Sequence, residues 1–181
     1  MNTIDQSAIY STCQLPPASR APSRAWRIGV ISDTHGLLRP SALVALQGVD
    51  HILHAGDIGD PAILTELGKI APVTAIRGNT DHGPWAKTMP DTEVATFDDS
   101  SFYIIHDLND LNLDPRAGRF SGVITGHTHK PVAQDRNGVL YLNPGSAGPK
   151  RFELPTTVAI MLWNDQGLKV EILDLDRISK V

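Results

Sequence analysis

The sequence predicts a sheet-rich α/β domain, two packed sheets with helices outside, and three observations carry that expectation. Short Val- and Ile-rich runs end abruptly in polar clusters along the chain, as strands do. Two capped helix candidates lie between the first of these runs, a strand–helix–strand spacing that suggests a parallel or mixed sheet. Paired runs joined by polar turns fill the second half, which reads as more antiparallel.

Taken in order, residues 1–24 are rich in Ser, Pro, Ala, Gln and Thr, show no period, and carry Pro16, Pro17 and Pro22, which break any helix. They read as a flexible N-terminal extension or a strap bound to the surface, and residues 25–181 as one domain. Arg27–Ser32 reads as a buried strand running into Asp33-Thr34-His35-Gly36. Pro40–Gln47 is a helix candidate with Pro near its start and Gly48 after its end. His51–His54 runs into Ala55-Gly56-Asp57. Asp60–Leu67 is a second helix candidate, with Asp60 at the N-cap, Pro61 at the first position and Gly68 at the stop.

Val73–Ile76 runs into Gly78-Asn79-Thr80-Asp81. Val94–Phe97 and Phe102–Ile105 flank a polar turn, and the second runs into His106-Asp107. Gly122–Thr125 runs into Gly126-His127-Thr128-His129. Val132–Arg136 and Val139–Leu142 flank Asn137-Gly138, a two-residue hairpin signal. Val158–Trp163 and Leu168–Leu173 flank Asn164-Asp165-Gln166-Gly167.

Composition narrows the function classes. The 181 residues are 41% hydrophobic and 20% charged, which excludes wholesale disorder. A formal net charge of −4 weighs against a protein that tracks along nucleic-acid phosphates. Cys13 is the single cysteine, so no internal disulfide forms. There is no bilayer-length apolar run and no secretory-signal pattern, and a cytoplasmic location is expected.

Five strand ends each deliver metal-ligand residue types: Asp33 and His35, Asp57, Asn79 with Asp81, His106, and His127 with His129. Loops at the carboxyl ends of strands converge on one crevice in α/β sheets. Imidazole and carboxylate ligands suit Zn, Mn, Fe, Co or Ni, and the amide of Asn79 adds a hard oxygen. Without a thiolate, a structural zinc site is not expected. Seven donors are too many for one tetrahedral ion and suit two ions sharing a bridging carboxylate. Two ions roughly 3.5–4 Å apart neutralise a phosphate and lower the pKa of a water between them, so that hydroxide attacks phosphorus in line.

Asp33-Thr34-His35-Gly36, Gly56-Asp57, Gly78-Asn79-x-Asp81, His106 and Gly126-His127-Thr128-His129 together resemble the calcineurin-like metallophosphoesterases, in order and in spacing. The resemblance, which covers about residues 26–172, is to the small single-domain bacterial and archaeal phosphodiesterase branch, which also carries the Asn143-Pro144-Gly145-Ser146 turn. It implies a two-sheet α/β/β/α sandwich. It implies one ion on Asp33, His35, Asp57 and His129, and a second on Asp57, Asn79, His106 and His127, with Asp57 bridging. It implies manganese first among the metals, with Asp33, Asp57, Asn79 and His106 at the chemistry. The substrate would be a small phosphodiester or nucleotide, and a homodimer fits this branch.

One position departs from the larger phosphatases of that family, where the residue after the Asn is a His that serves as general acid. Here it is Thr80, and a hydroxyl is a poor acid near neutral pH. Better activity on diesters with good leaving groups than on alkyl phosphomonoesters is expected. The alternatives are a phosphomonoesterase or nucleotide pyrophosphatase, and a non-catalytic scaffold for protein partners. Around the ligand set, His54, Arg77, Thr80, Asp81 and His82 are candidates for contacting ligands or substrate. Residues 82–87 read as a loop over the site rim. Lys150-Arg151 read as a solvated basic pair, and Trp26, Trp85 and Trp163 as core or interface residues.

Overall fold

Each Val- or Ile-rich run of the sequence becomes a strand, because alternate side chains find apolar partners on both faces. The computed structural model describes residues 6–16, 22–151 and 153–178. In chain order its elements are β1 (Ile9–Leu15), β2 (Trp26–Ile31), α1 (Pro40–Ala45), β3 (His51–His54), α2 (Ala62–Gly68) and β4 (Val73–Ala75). There follow β5 (Thr92–Phe97), β6 (Ser100–Ile105), β7 (Gly122–Ile124), β8 (Val132–Arg136), β9 (Val139–Asn143), β10 (Thr157–Asn164) and β11 (Gly167–Asp174). One sheet has the order β1-β11-β10-β2-β3-β4 and the other β5-β6-β7-β9-β8.

The layers follow from the two-residue period. In β10, Ala159, Met161 and Trp163 enter the cluster between the sheets, while Val158 and Ile160 enter the cluster under the helices. In β6, Phe102 and Ile104 face the inter-sheet cluster, and Tyr103 and Ile105 face a smaller one on the outer side. Leu46 and Leu67, beside or within α1 and α2, cover Ile31, Ile52 and Ile160. The outer side of the second sheet is covered by the segment after β6, through Leu108 and Leu111, where a 3-10 turn spans Leu108–Asp110. Trp163 is buried and Trp26 and Trp85 pack against the two main clusters, as core tryptophans do.

Two sequence expectations change. The N-terminal extension is in part a strand: β1 pairs antiparallel with β11, from Ile9 opposite Leu173 to Leu15 opposite Leu168. Ile9, Ser11, Cys13 and Leu15 alternate inward, a period that the small polar residues conceal. Ser23 is also held, its N–H and hydroxyl donating to the Asp98 carboxylate at 2.9 and 2.8 Å. Residues 1–5 and 17–21 of that extension lie outside the described residues. Second, the three expected hairpins form as antiparallel pairs (β5–β6, β8–β9 and β10–β11), but the later sheet also takes in parallel pairings. β6, β7 and β9 run parallel, with β5 and β8 antiparallel at its edges. The stretch from residue 106 to 121 is long enough for such a crossover.

The turns keep their predicted chemistry. Asn137 and Gly138 both have positive φ (56° and 83°), the signature of a type I′ hairpin. α2 begins later than expected, with Pro61 rather than Asp60 at its N-cap, although Asp60 Oδ1 still accepts from Ala62 N–H at 2.8 Å. The parallel strands β2, β3 and β4 of one sheet, and β6, β7 and β9 of the other, bring their carboxyl ends to the same end of the sandwich. That convergence positions the site.

Candidate metal centre

Every donor of the site is held on a strand-end loop, and five of them in a backbone conformation that L-residues avoid. Asp33, His35, Asp57, His127 and His129 have φ between 45° and 67°. Such residues persist only where the surroundings over-determine them, and they concentrate at functional sites. The surroundings are visible. Asp33 N–H donates to Gly56 O (3.0 Å), His35 N–H to Asp57 O (2.9 Å) and Gly36 N–H to Ile58 O (2.8 Å), stitching the first two loops together. The Asp33 carboxylate accepts from His127 N–H at 3.2 Å through both oxygens. Gly78 must be glycine, because a Cβ there would overlap the Asp57 carboxylate and backbone nitrogen.

The seven predicted donors form two overlapping groups. In the first, His129 Nε2 lies 3.2 Å from Asp33 Oδ1 and 3.2 Å from His35 Nε2, and His35 Nε2 lies 3.8 Å from Asp57 Oδ2. In the second, His106 Nε2 lies 3.4 Å from Asp57 Oδ1 and 3.2 Å from Asn79 Oδ1, which lies 3.0 Å from His127 Nδ1. Ligand atoms of Asp33, His35 and His129, and of Asp33, Asp57 and His106, fall within 4.8 Å of one another. Asp57 thus turns one oxygen to each group.

The donor chemistry fits divalent cations. Lone pairs of imidazole, amide and carboxylate converge in a buried place, which is stable only around positive charge. His106 Nδ1–H donates to Ala55 O at 2.7 Å, which turns its Nε2 toward the cluster. His129 Nδ1 is buried with no hydrogen-bond partner, so among the described residues the ring is held through Nε2 alone. Burial pushes the Asp57 carboxyl up, but hydrogen bonds from His106 and the Thr80 N–H outweigh it and hold the group well below the usual carboxylate range. Burial lowers His106, yet Asp57 and the Ala55 carbonyl raise it overall.

The surrounding candidates separate by role. His54 is fully buried. Its Nε2 lies 3.0 Å from Thr34 Oγ1, and because that hydroxyl donates to Ile58 O, the imidazole is the donor. Its Nδ1 accepts from Gly56 N–H. Burial pushes its pKa down to about 4, so the neutral ring braces the first loop pair. Asp81 touches no ligand side chain; its carboxylate accepts from the N–H groups of Ile58, Gly59 and Gly78, tying the second and third loops. Thr80 N–H donates to Asp57 Oδ1 at 2.9 Å, and its exposed hydroxyl lies 3.4 Å from His35 Nδ1. Arg77 is paired with Asp91 at 2.6 Å. His82 is exposed, and no described contact brings it to the ligand set. The rim loop around it is anchored by the buried Ala86.

Three residues with work at the site escape the sequence reading. Asp107 Oδ2 stands 3.5 Å from His127 Nε2, on the ring nitrogen opposite the one facing Asn79. Asn143 Nδ2 donates to Gly126 O (2.6 Å) and Thr128 Oγ1 (3.1 Å), shaping the loop of His127 and His129. Ser146 Oγ donates to Asp33 O at 2.9 Å. For Asn143 and Ser146 the signal was their turn itself, a tight polar turn at the end of a buried strand; Asp107 had none beyond following His106. Asn79, His106 and His127 also line a cleft of about 470 Å³, walled by Tyr103, Asp107 and Asp110.

The family model described as the calcineurin-like phosphoesterase superfamily domain matches residues 26–166. A probable metallophosphoesterase of Methanothermobacter thermautotrophicus is 34% identical over 158 residues, covering 81% of this chain and 91% of that protein. A solved structure described as a novel archaeal phosphodiesterase is 26% identical with a TM-score of 0.68, covering 81% of this chain and 99% of that one. Vacuolar Protein Sorting 29 of Cryptosporidium parvum shares the fold at 20% identity and a TM-score of 0.71, covering 83% and 91%.

Proposed function

The chain belongs to the calcineurin-like phosphoesterase superfamily, and from that premise we propose that it is a phosphodiesterase whose site holds two divalent ions, manganese first among the candidates. The observation that carries the reading is Asp57, with Oδ1 toward His106 at 3.4 Å and Oδ2 toward His35 at 3.8 Å. A carboxylate so placed between two donor groups suits a bridge between two cations. Asp33, His35, Asp57 and His129 would hold one ion, and Asp57, Asn79, His106 and His127 the other. Bound divalent ions supply charge neutralisation for phosphate oxygens and acidify water.

The chain's own residues set the substrate class. Thr80 offers a hydroxyl at the rim and no imidazole, so the site has no strong proton donor for a basic alkoxide. Esters whose leaving group departs without a proton are therefore favoured. The cleft beside Asn79 and His127 admits the ester group of a small diester or nucleotide. A described helix long and apolar enough to cross a membrane is absent.

The test is hydrolysis of bis-p-nitrophenyl phosphate beside p-nitrophenyl phosphate. Metal-stripped protein receives Mn, Ni, Co, Zn or Mg singly, with Asp57→Ala and His127→Ala in parallel. Metal-dependent diester cleavage that is lost in both variants is expected. A folded, metal-loaded wild type that cleaves neither compound would overturn the enzyme reading and favour a metal-bearing scaffold for protein partners.

A further inference from the structure

The segment following the Asn143–Ser146 turn is fastened to the first donor loop. Ala147 N–H donates to Ser32 O at 3.0 Å, Ser146 Oγ to Asp33 O at 2.9 Å, and Arg39 Nε to Gly148 O at 3.0 Å. A Cβ on Gly148 would overlap the carbonyls of Asp33 and Thr34, so the two backbones lie in direct contact. This fixed loop delivers Arg151, read from sequence as a solvated residue, to the mouth of the site. Its Nη2 lies 3.5 Å from His35 Nε2.

The guanidiniums and ammonium nearby are engaged elsewhere. Arg77 is paired with Asp91 at 2.6 Å, Arg39 donates to Gly148 O, and Lys150 turns to Asp176 at 3.4 Å. Arg151 pairs with no carboxylate among the described residues. Its neighbour, His35 Nε2, has one lone pair, and that lone pair also faces Asp57 Oδ2 and His129 Nε2. A cation seated on that nitrogen ends its capacity to accept from Arg151. A guanidinium left a few ångströms from a divalent cation is repelled unless an anion lies between them. A phosphate oxygen meets that need, and the guanidinium fork matches its geometry.

From this juxtaposition we infer that Arg151 grips a non-bridging oxygen of the substrate phosphate from the His35 side, away from the cleft that receives the ester group. The inference rests on the two-ion phosphoesterase reading and adds to it a substrate-contacting residue outside the ligand set.

The experiment titrates inorganic phosphate into the Mn-loaded full chain by calorimetry, for wild type, Arg151→Gln and Arg151→Lys, with bound Mn counted in each. Arg151→Gln is expected to weaken phosphate binding roughly tenfold, the lower end for a hydrogen bond between charged groups. Its Mn content and melting temperature stay at the wild-type values, because the side chain is exposed. Arg151→Lys keeps the charge without the fork and recovers part of the loss. Phosphate affinity in Arg151→Gln within twofold of wild type, at equal Mn content, would overturn the inference and leave the phosphoesterase reading standing. A wild type that takes up no Mn would bring down both.

Discussion

The two halves of the site are built differently. Asp33 and His129 are buried, with His35 partly open beside them: the Asp33 side chain has no exposure, and Ser146, Thr34 and Gly148 close over the backbone beside it. Asn79, His106 and His127 open on the cleft, and the His127 side chain is 38% exposed. The first half is braced through backbone, by His54 and by the Asn143–Arg151 loop. The second relies on side-chain contacts, His106 to Ala55 O and His127 to Asp107. A buried, backbone-braced donor set retains an ion, and an open one exchanges it. On the two-ion proposal, chelator should therefore remove the ions in separate phases, the cleft-side ion first.

Four measurements break or sharpen that contrast. The largest effect is expected where the halves meet. Asp57→Ala removes the shared carboxylate and should lower diester hydrolysis on the order of a thousandfold or more, with bound metal falling to one ion or fewer. Two ions retained in that variant would show that the halves do not depend on a bridge.

The next effect concerns the braced half and is read as stability. His54 has a folded pKa of about 4, below the ordinary 6.5, so between those values the unfolded chain binds the extra proton. Stability from this group is complete above about pH 6.5 and is lost as pH falls toward 4, in total on the order of 3 kcal/mol. Urea unfolding from pH 7.5 to 4 should show that slope in wild type and a flatter one in His54→Gln. Equal slopes would remove His54 as the brace.

The third lies on the open half. Asp107→Asn should weaken the cleft-side ion by about 10–100-fold, as loss of a carboxylate behind a ligating imidazole does, and leave the first ion unchanged. Equal weakening of both ions in calorimetric titration would argue that the halves are coupled. The smallest is Thr80→Val. The N–H that holds Asp57 is kept, and what is lost is the exposed hydroxyl, 3.4 Å from His35 Nδ1, with its weaker contribution to Asp57. Diester kcat/KM should stay within about threefold, the scale of surface changes. A larger fall would give the hydroxyl a part in the chemistry.

What the sequence disclosed about this site follows from locality. The donors were legible because each sits directly after a short apolar run, where a Gly or Asp ends the strand, and because their atom types suit the same cations. The hairpin at Asn137-Gly138 was legible for the same reason. Pairings over distance were not. β1 answers to β11, with Ile9 opposite Leu173, and no local pattern announces that partner. The parallel order of β6, β7 and β9 depends on how crossovers return. Asp107 and Arg151 were ordinary polar residues until the fold showed which imidazole nitrogen each one faces. Asp81, expected near a ligand, proved to organise backbone instead.

The left-handed backbone of five donors carries a consequence for how this protein ages under mutation. Each such residue costs about 1 kcal/mol or more relative to relaxed geometry, which glycine would relieve. Stability and activity therefore pull in opposite directions at these positions. His127→Gly, the change at the most open of them, should raise the melting temperature of the chelated protein while abolishing turnover. The side chains at these positions therefore serve the site at the expense of the fold.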